Sequence, residues 1–394
     1  METYLLDWAN LLIRWLHLIT GVAWIGASFY FVMLDTSLRK PVKPEDSERG
    51  VTGELWAVHG GGVYHSQKFL VGPLGEPLSE HLHWSKWEAY TTWLSGMGLL
   101  AIVYWIGAKT YLIDQQVLAL TPFQAIAISI GFLVGGWLIY NTLCKVLRGK
   151  ETLLIAIIFI LVIIASWGLF QLFSARAAFL HVGAMIGTIM VANVFFQIIP
   201  GQKKMVAEIR AGSNVDPMPG IIGKQRSVHN TYFTLPVLFI MISNHYPMTY
   251  SHEHGWLVLT FIMLAGVLIR QFFVLRHTGQ VKWVLPVIGI VLLLTMVWYL
   301  RPAPVDASQS VTDAQMQTVV NARCTACHSV SPSQPGFAAA PLGLVLETTE
   351  QIKQNAARIA NTVQSRYMPI GNLTGMSDEE RALVASWFAQ IQPK

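Results

Sequence analysis

Eight apolar runs constrain this chain more than any other feature of its sequence, because each is long enough to cross a membrane as a helix. About 20 apolar residues span the roughly 30 Å hydrocarbon layer. The runs lie near residues 9–34, 88–107, 122–143, 153–173, 177–199, 229–246, 256–275 and 283–300. Only 12% of the 394 residues are Asp, Glu, Lys or Arg, whereas a soluble domain carries about 25%. We therefore expect a protein surrounded by membrane lipid, and exclude a plain soluble enzyme, a nucleic-acid-binding protein and a disordered chain.

The composition changes abruptly after Leu300. The stretch RPAPVDASQS is rich in Pro and Ser, as linkers are, and a shorter helical pattern follows it. Within that pattern, Ser377-Asp-Glu-Glu380 predicts a capping box at the start of the last helix. We predict an all-α protein with an eight-helix transmembrane domain (1–300), a linker (301–310) and a small C-terminal domain (311–394). Spans 1 and 5 each carry an Arg and then a His, which suits two parallel four-helix halves; chance similarity of apolar helices is the alternative.

The distribution of Lys and Arg orients the predicted bundle. The loops on one side carry 16 of these residues and those on the other side carry two. Cytoplasmic loops are the positively charged ones. With eight spans, both termini and the C-terminal domain are then periplasmic, and the protein lies in a bacterial inner membrane.

The C-terminal domain carries one specific motif. Cys324-Thr-Ala-Cys327-His328 has the C-x-x-C-H pattern by which haem c is attached. Two thiols bind the porphyrin vinyl groups and the adjacent His ligates the iron, so all three must lie on one turn. A thioether as the sixth ligand raises the reduction potential. Met368 is the predicted ligand and Met376 the alternative. Periplasmic haem attachment agrees with the orientation above.

Ionisable residues inside the predicted spans point to function, because each costs about 3 kcal/mol at mid-bilayer on insertion scales. His17 and His181 lie near the outer ends of their spans, with Arg14 and Arg176 slightly further out. Two His at one depth on different helices would ligate a haem b, and the Arg side chains would meet its propionates. His residues that only hydrogen-bond between helices are the alternative.

A second polar group lies at the inner ends of spans 2 and 6. It consists of Glu88, His229, Asn230, Tyr232 and Thr234. Span 6 also contains Pro236, which predicts a kink. Polar side chains beside a broken helix at membrane depth are tolerated around a cavity. We therefore predict a pocket open to the cytoplasm, with polar contacts between helices as the alternative.

Five stretches give the chain a specific resemblance to a known family. They are FYFVMLDTSLRKP, GELWAVHGGGVYHSQKF, ANVFFQIIPGQ, HNTYFTLPVLFIMISNHY and YMPIGNLTGMSDEER. In these the chain resembles the membrane-bound, cytochrome c-linked urate hydroxylases of bacteria, the PuuD-type urate oxidases. The resemblance implies an oxidoreductase of purine degradation that converts urate to 5-hydroxyisourate. Its electrons would pass through haem c to a periplasmic cytochrome c or a terminal oxidase, without oxygen as direct oxidant or peroxide as product.

This reaction gives the polar group of spans 2 and 6 a chemical role. Water must attack C5 of urate, so a base is needed, and His229 or Glu88 is the candidate. Tyr232, Asn230 and Thr234 would contact the purine ring. Two other interpretations stay open: another haem-linked membrane dehydrogenase or quinol/cytochrome electron-transfer protein, and a transporter with a regulatory tail.

Overall fold

The computed structural model describes residues 2–301, 310–334 and 337–392. Helices α1 to α10 form a bundle (residues 2–301), and α11 to α14 form a tail (residues 310–392). The bundle contains α1 (Glu2–Ser37), α2 (Pro44–Glu48), α3 (Trp87–Leu99), α4 (Pro122–Val146), α5 (Glu151–Phe170), α6 (Ala175–Asn193), α7 (Ile199–Arg210), α8 (Met218–Ser243), α9 (Gly255–His277) and α10 (Val284–Tyr299). The tail contains α11 (Asp313–Arg323), α12 (Thr349–Gln354), α13 (Ala356–Gln364) and α14 (Asp378–Ile391). The predicted helical character is thus confirmed.

Six segments of the described chain are long and apolar enough to cross a membrane. They are Tyr4–Ser37, Trp87–Ile106, Pro122–Val146, Glu151–Phe170, Ala175–Arg210 and Gly255–His277. All six coincide with predicted spans. The two remaining candidates differ: α10 is apolar but has only 16 residues, and α8 has 26 residues but begins with a polar half. The count of eight therefore stays a prediction.

Two of the predicted spans contain π-helical segments. Helix α3 passes into a π-helix at Leu100–Ile106, and α6 passes through a π-helical turn, Val194–Ile198, into α7. The loop predicted from residue 200 is therefore helical as far as Arg210. Such insertions tilt the following helix and are frequent at functional sites.

One end of the bundle, which we call the basic end, is where α1 and α4 finish and α8 begins. Asp35 of α1 is paired there with Lys68 and, at 3.0 Å, with Lys224 of α8. A hairpin of β1 (Val51–His59) and β2 (Gly62–Phe69) covers this end and is an exception to the predicted all-α fold. Its turn holds Gly60 and Gly61 at φ of 58° and 80°, which glycine adopts readily and other residues do not.

Helix α6 is the centre of the bundle. Thirteen of its 19 residues are buried, and it packs against α4, α5 and α8. Helix α8 runs through Pro236 as one element. Opposite the proline, Gly266 of α9 lets the two helices approach, since a Cβ there would lie 3.3 Å from Leu235. Polar side chains on the inner faces of α6 and α8, such as Asn193 and Asn230, are consequently buried between helices.

The tail has its own apolar core, with Trp387 of α14 at its centre. The predicted capping box is confirmed, because Ser377 accepts from the backbone of Glu380 and the Glu380 side chain accepts from the backbone of Ser377. Asp313 accepts a hydrogen bond from the Trp387 indole at 3.0 Å and another from Lys353. These two hydrogen bonds hold the pKa of Asp313 below its usual value, and the bond from Lys353 has the larger effect.

Candidate functional site

The C-x-x-C-H motif and the predicted methionine line one cleft in the tail. Cys324, Cys327, His328 and Met368 surround a space of about 950 Å³, measured out to its open mouth. Its walls are mainly apolar, and burial raises the pKa of the Cys324 thiol to about 11. Within the described ranges, no three His, Cys, Asp or Glu side chains are grouped to hold a bare metal ion. The cleft suits a large apolar ring system.

Local backbone geometry delivers the motif to this cleft. Helix α11 ends at Arg323, and the amides of Cys327 and His328 both donate to the Cys324 carbonyl, at 3.1 and 2.8 Å. One turn therefore presents both thiols and the imidazole. His328 Nδ1 lies 3.0 Å from the carbonyl oxygen of Leu344. A carbonyl can only accept, so Nδ1 carries the proton and Nε2 keeps the lone pair that binds a metal.

Met368 also lines the cleft and is held in place by a buried arginine. Arg381 donates to the carbonyl oxygens of Val363 and Met368, both at 2.8 Å, and to Asn372 Oδ1 at 3.2 Å. Met376, the alternative ligand, packs in the tail core and is not among the residues that line the cleft. The residues present thus fit a haem c, whose iron His328 and Met368 would ligate.

The loop after Met368 rests on the end of the bundle opposite the basic end. Asn372 Nδ2 donates to Gln116 Oε1 at 3.2 Å. Gly375 has a φ of 65°, and a Cβ there would come within 2.8 Å of the Gln116 amide nitrogen. A second cleft of about 720 Å³ lies at this junction, beside Arg176, Tyr250 and Tyr367. The face of the tail that carries Met368 is therefore the docked face.

The structure separates the histidines that were predicted to bind haem b. His17 Nδ1 lies 3.0 Å from the carbonyl oxygen of Thr92 on α3. The ring of His181 instead packs against Tyr104, which lies in the π-helical segment after α3. The His17 ring faces Gly96 of α3, eight residues before Tyr104. That spacing corresponds to roughly 12 Å of helix. The two imidazoles therefore do not face each other at one depth.

His181 has a further constraint. It is fully buried, with Nε2 2.8 Å from Ser129 Oγ and Nδ1 2.7 Å from the Ala177 carbonyl oxygen. Arg14 donates to Asn10, and Arg176 donates to Asn244 at 3.1 Å. In this packing the predicted residues do not fit as a haem b site; they are His17, His181, Arg14 and Arg176. Haem b itself stays a prediction.

A buried polar cluster near the basic end does bring two predicted residues together. His229 Nδ1 lies 2.8 Å from the Tyr140 hydroxyl, and its Nε2 lies 3.4 Å from a Glu151 carboxylate oxygen. Asn230 accepts from Asn193 Nδ2 at 2.9 Å and donates to a backbone carbonyl of α6. Asn193 Nδ2 also donates to the Tyr140 hydroxyl at 3.1 Å. Helices α4, α6 and α8 each contribute one edge of this cluster.

Arg226 belongs to the same cluster, although from its sequence position it is predicted only as one of the basic loop residues. It is 2% exposed and donates to Asn141 Oδ1 at 3.0 Å and to Asn193 Oδ1 at 3.4 Å. Its guanidinium lies 5.0 Å from the centre of the Tyr140 ring. Arg226 precedes His229 by three residues and Asn230 by four. Residues with this spacing share a helix face, and this signal could have placed Arg226 beside them.

The remaining predicted residues lie elsewhere. Tyr232 points to α9, where it donates to Gln271. Thr234 donates to the backbone of its own helix, at the Thr231 carbonyl oxygen. Glu88 lies in the first turn of α3, and the carboxylate that faces His229 is that of Glu151.

Comparison with known proteins gives one match. Residues 3–301 match the family model described as "Urate oxidase N-terminal". Neither the curated proteins nor the solved structures contain a match to the chain. The matched segment contains the bundle with its buried polar cluster.

Proposed function

Because the chain belongs to the urate oxidase N-terminal family, we propose that it is a membrane-bound urate hydroxylase that yields 5-hydroxyisourate. Urate and water would give this product with release of two electrons and two protons. The electrons would leave through haem c in the tail, towards a periplasmic cytochrome c or a terminal oxidase. The observation that carries this proposal is the oriented His328 in one cleft with Cys324, Cys327 and Met368.

In this proposal the tail residues hold and tune an electron acceptor. A bound haem c would accept one electron at a time. Cys324 and Cys327 would anchor it, and His328 would ligate the iron through Nε2 while Leu344 keeps the ring in place. Met368 would complete the ligand set, and its thioether together with the apolar walls favours a high reduction potential.

The cluster around His229 is our proposed urate site. His229 Nε2 is directed towards Glu151, whose side chain is 49% exposed and reaches the solvent at the basic end. His229 would accept a proton from the attacking water, and Glu151 would pass it outward. Asn230 and Asn193 offer the amide groups that a purine dione edge requires. Glu88, Tyr232 and Thr234 stay predictions, because no hydrogen bond or ion pair joins these described residues to His229.

The proposed urate site and the tail lie at opposite ends of the bundle. From His229 to the end of α8 at Ser243 is 14 residues, or about 21 Å. Electrons must cover at least that distance, so a further redox centre within the bundle is part of the prediction. A pyridine haemochrome assay of the purified protein measures non-covalent haem beside the covalent haem c, and decides this point.

Urate-driven reduction of the haem tests the function directly. Purified protein is mixed with urate under anaerobic conditions, and the haem absorbance and 5-hydroxyisourate are followed together. We expect two haem equivalents reduced for each urate consumed, and no peroxide when oxygen is admitted. Reduction by a quinol but not by urate would instead favour the other haem-linked electron-transfer function. Reporter fusions at both termini check the predicted periplasmic location.

A further inference from the structure

We propose that Arg226 binds the negative charge of the substrate, and that its cluster is a site for the anion of a planar cyclic amide. This inference rests on the proposed function and deepens it, because it names the recognition group and the charge state of the substrate. It is independent of the haem chemistry in the tail. Its basis is the environment of a single buried guanidinium.

The first observation is a buried positive charge without a carboxylate partner. Arg226 is among the largest fully buried side chains of the described chain. A buried ion costs several kcal/mol unless another charge compensates it. Within the described residues, no Asp or Glu oxygen lies within ion-pair distance of Arg226, and its Nε has no hydrogen-bond partner. The nearby Glu151 instead faces His229 and Gln225.

The second observation is that the groups around Arg226 are neutral and suited to an amide ring. The side-chain oxygens of Asn141 and Asn193 accept from the guanidinium. These dipoles satisfy hydrogen bonds but leave the net charge in place. Asn230 adds another amide, and Tyr140 adds an aromatic face. Urate is planar, has alternating N–H and C=O groups on its edges, and is a monoanion at neutral pH. An anion of this class supplies the charge that the cluster lacks.

The third observation distinguishes Arg226 from the other buried arginine of the bundle. Arg270 also has unpartnered nitrogens, but it stacks 4.1 Å from the Phe29 ring. Arg226 instead shares partners with the proposed base. Tyr140 contacts both Arg226 and His229, and Asn193 contacts both Arg226 and Asn230. A substrate held by Arg226 is therefore next to His229.

Loss of the Arg226 charge should affect KM and kcat for urate differently. Oxidation removes electrons from the anion, so its attraction to the guanidinium is strongest before reaction. An interaction stronger in the ground state than in the transition state affects binding more than turnover. Replacement of Arg226 should therefore raise KM for urate and should not lower kcat.

The experiment compares three full-length variants. Arg226→Gln removes the charge and Arg226→Lys keeps it. Lys145→Gln removes an exposed charge from the last turn of α4, which also lies at the basic end. We expect Arg226→Gln to raise KM and the calorimetric Kd for urate about 10- to 100-fold, in line with the loss of one charged hydrogen bond. Arg226→Lys should retain most of the affinity, and Lys145→Gln should bind urate like the wild type. The competitor is xanthine, studied at a pH where it is neutral, and its affinity should change less than threefold in Arg226→Gln.

The result has clear readings. Covalent haem content, melting temperature and reduction by dithionite establish that each variant is folded. If Arg226→Gln lost equal affinity for urate and for neutral xanthine, Arg226 would only support the structure. This result would overturn the inference. Unchanged urate affinity would overturn it too. A wild-type protein that binds urate but is never reduced by it would refute the proposed function and leave the binding comparison to decide the role of Arg226.

Discussion

Arg381→Gln is the substitution that most directly tests the proposed haem ligation. Arg381 is 8% exposed and ties the Met368 loop to helices α13 and α14 through three hydrogen bonds. Burial lowers the pKa of Arg381. Gln reaches less far and carries no charge, so it cannot bond Val363 and Met368 together. The Met368 loop should then lose its fixed position at the edge of the cleft.

The magnitude follows from these contacts. A hydrogen bond from a charged donor contributes about 1.5–3 kcal/mol, but bonds that share one donor group are not additive. Water can also reach the loop once the side chain is shortened. We therefore expect the tail to lose about 3–4 kcal/mol of its free energy of unfolding. For a domain of this size, such a loss lowers the melting temperature by more than about 10 °C.

The assay follows ligation and stability in the same full-length protein. The charge-transfer band of iron–thioether ligation should weaken or vanish, the reduction potential should fall, and covalent haem should remain. Arg366→Gln is the matched control, because Arg366 is 43% exposed and pairs at 2.7 Å with the exposed Asp378. That pair should contribute less than about 1 kcal/mol. An Arg381→Gln protein with wild-type ligation and a melting temperature equal to the control would refute the reasoning.

Three further predictions concern other parts of the molecule. Replacing both Cys324 and Cys327 by Ala should abolish covalent haem and electron transfer to an external cytochrome. Normal turnover in this double variant would exclude the tail from the electron path. His229→Gln should lower kcat for urate about 10²- to 10⁴-fold and Glu151→Gln about tenfold, while dithionite still reduces the haem; a wild-type rate in His229→Gln would remove its role as base. The pKa of Asp313 is lowered, first of all by its hydrogen bond from the Lys353 ammonium. Its carboxylate therefore stabilises the tail above the unfolded pKa of about 3.9. This stabilisation disappears as the pH falls through the lower folded pKa. The melting temperatures of wild type and Asp313→Asn should therefore differ at pH 7 and converge as the pH falls through the folded pKa of Asp313, and a constant difference would contradict this linkage.

The sequence by itself determined the features that depend on neighbouring residues. Apolar runs of sufficient length predicted six helices that are long and apolar enough to cross a membrane, because the period and length of such a run reflect the helix and its solvent. Cys324, Cys327 and His328 lie on one turn since they are adjacent in the chain. The capping box at Ser377 and Glu380 is likewise a contact across one turn.

Only the tertiary structure decided which distant groups meet. His328 is oriented by Leu344 and Met368 is held by Arg381, and both contacts join separate elements of the tail. In the bundle, the carboxylate that meets His229 is that of Glu151, whereas Glu88, the other predicted candidate for the base, lies in the first turn of α3. The physical reason is that helix faces follow from local periodicity, whereas the packing of one helix against another depends on the shapes of all the side chains between them. A residue such as Arg226 therefore looks like a loop charge in the sequence and becomes a buried cation only when α4, α6 and α8 close around it.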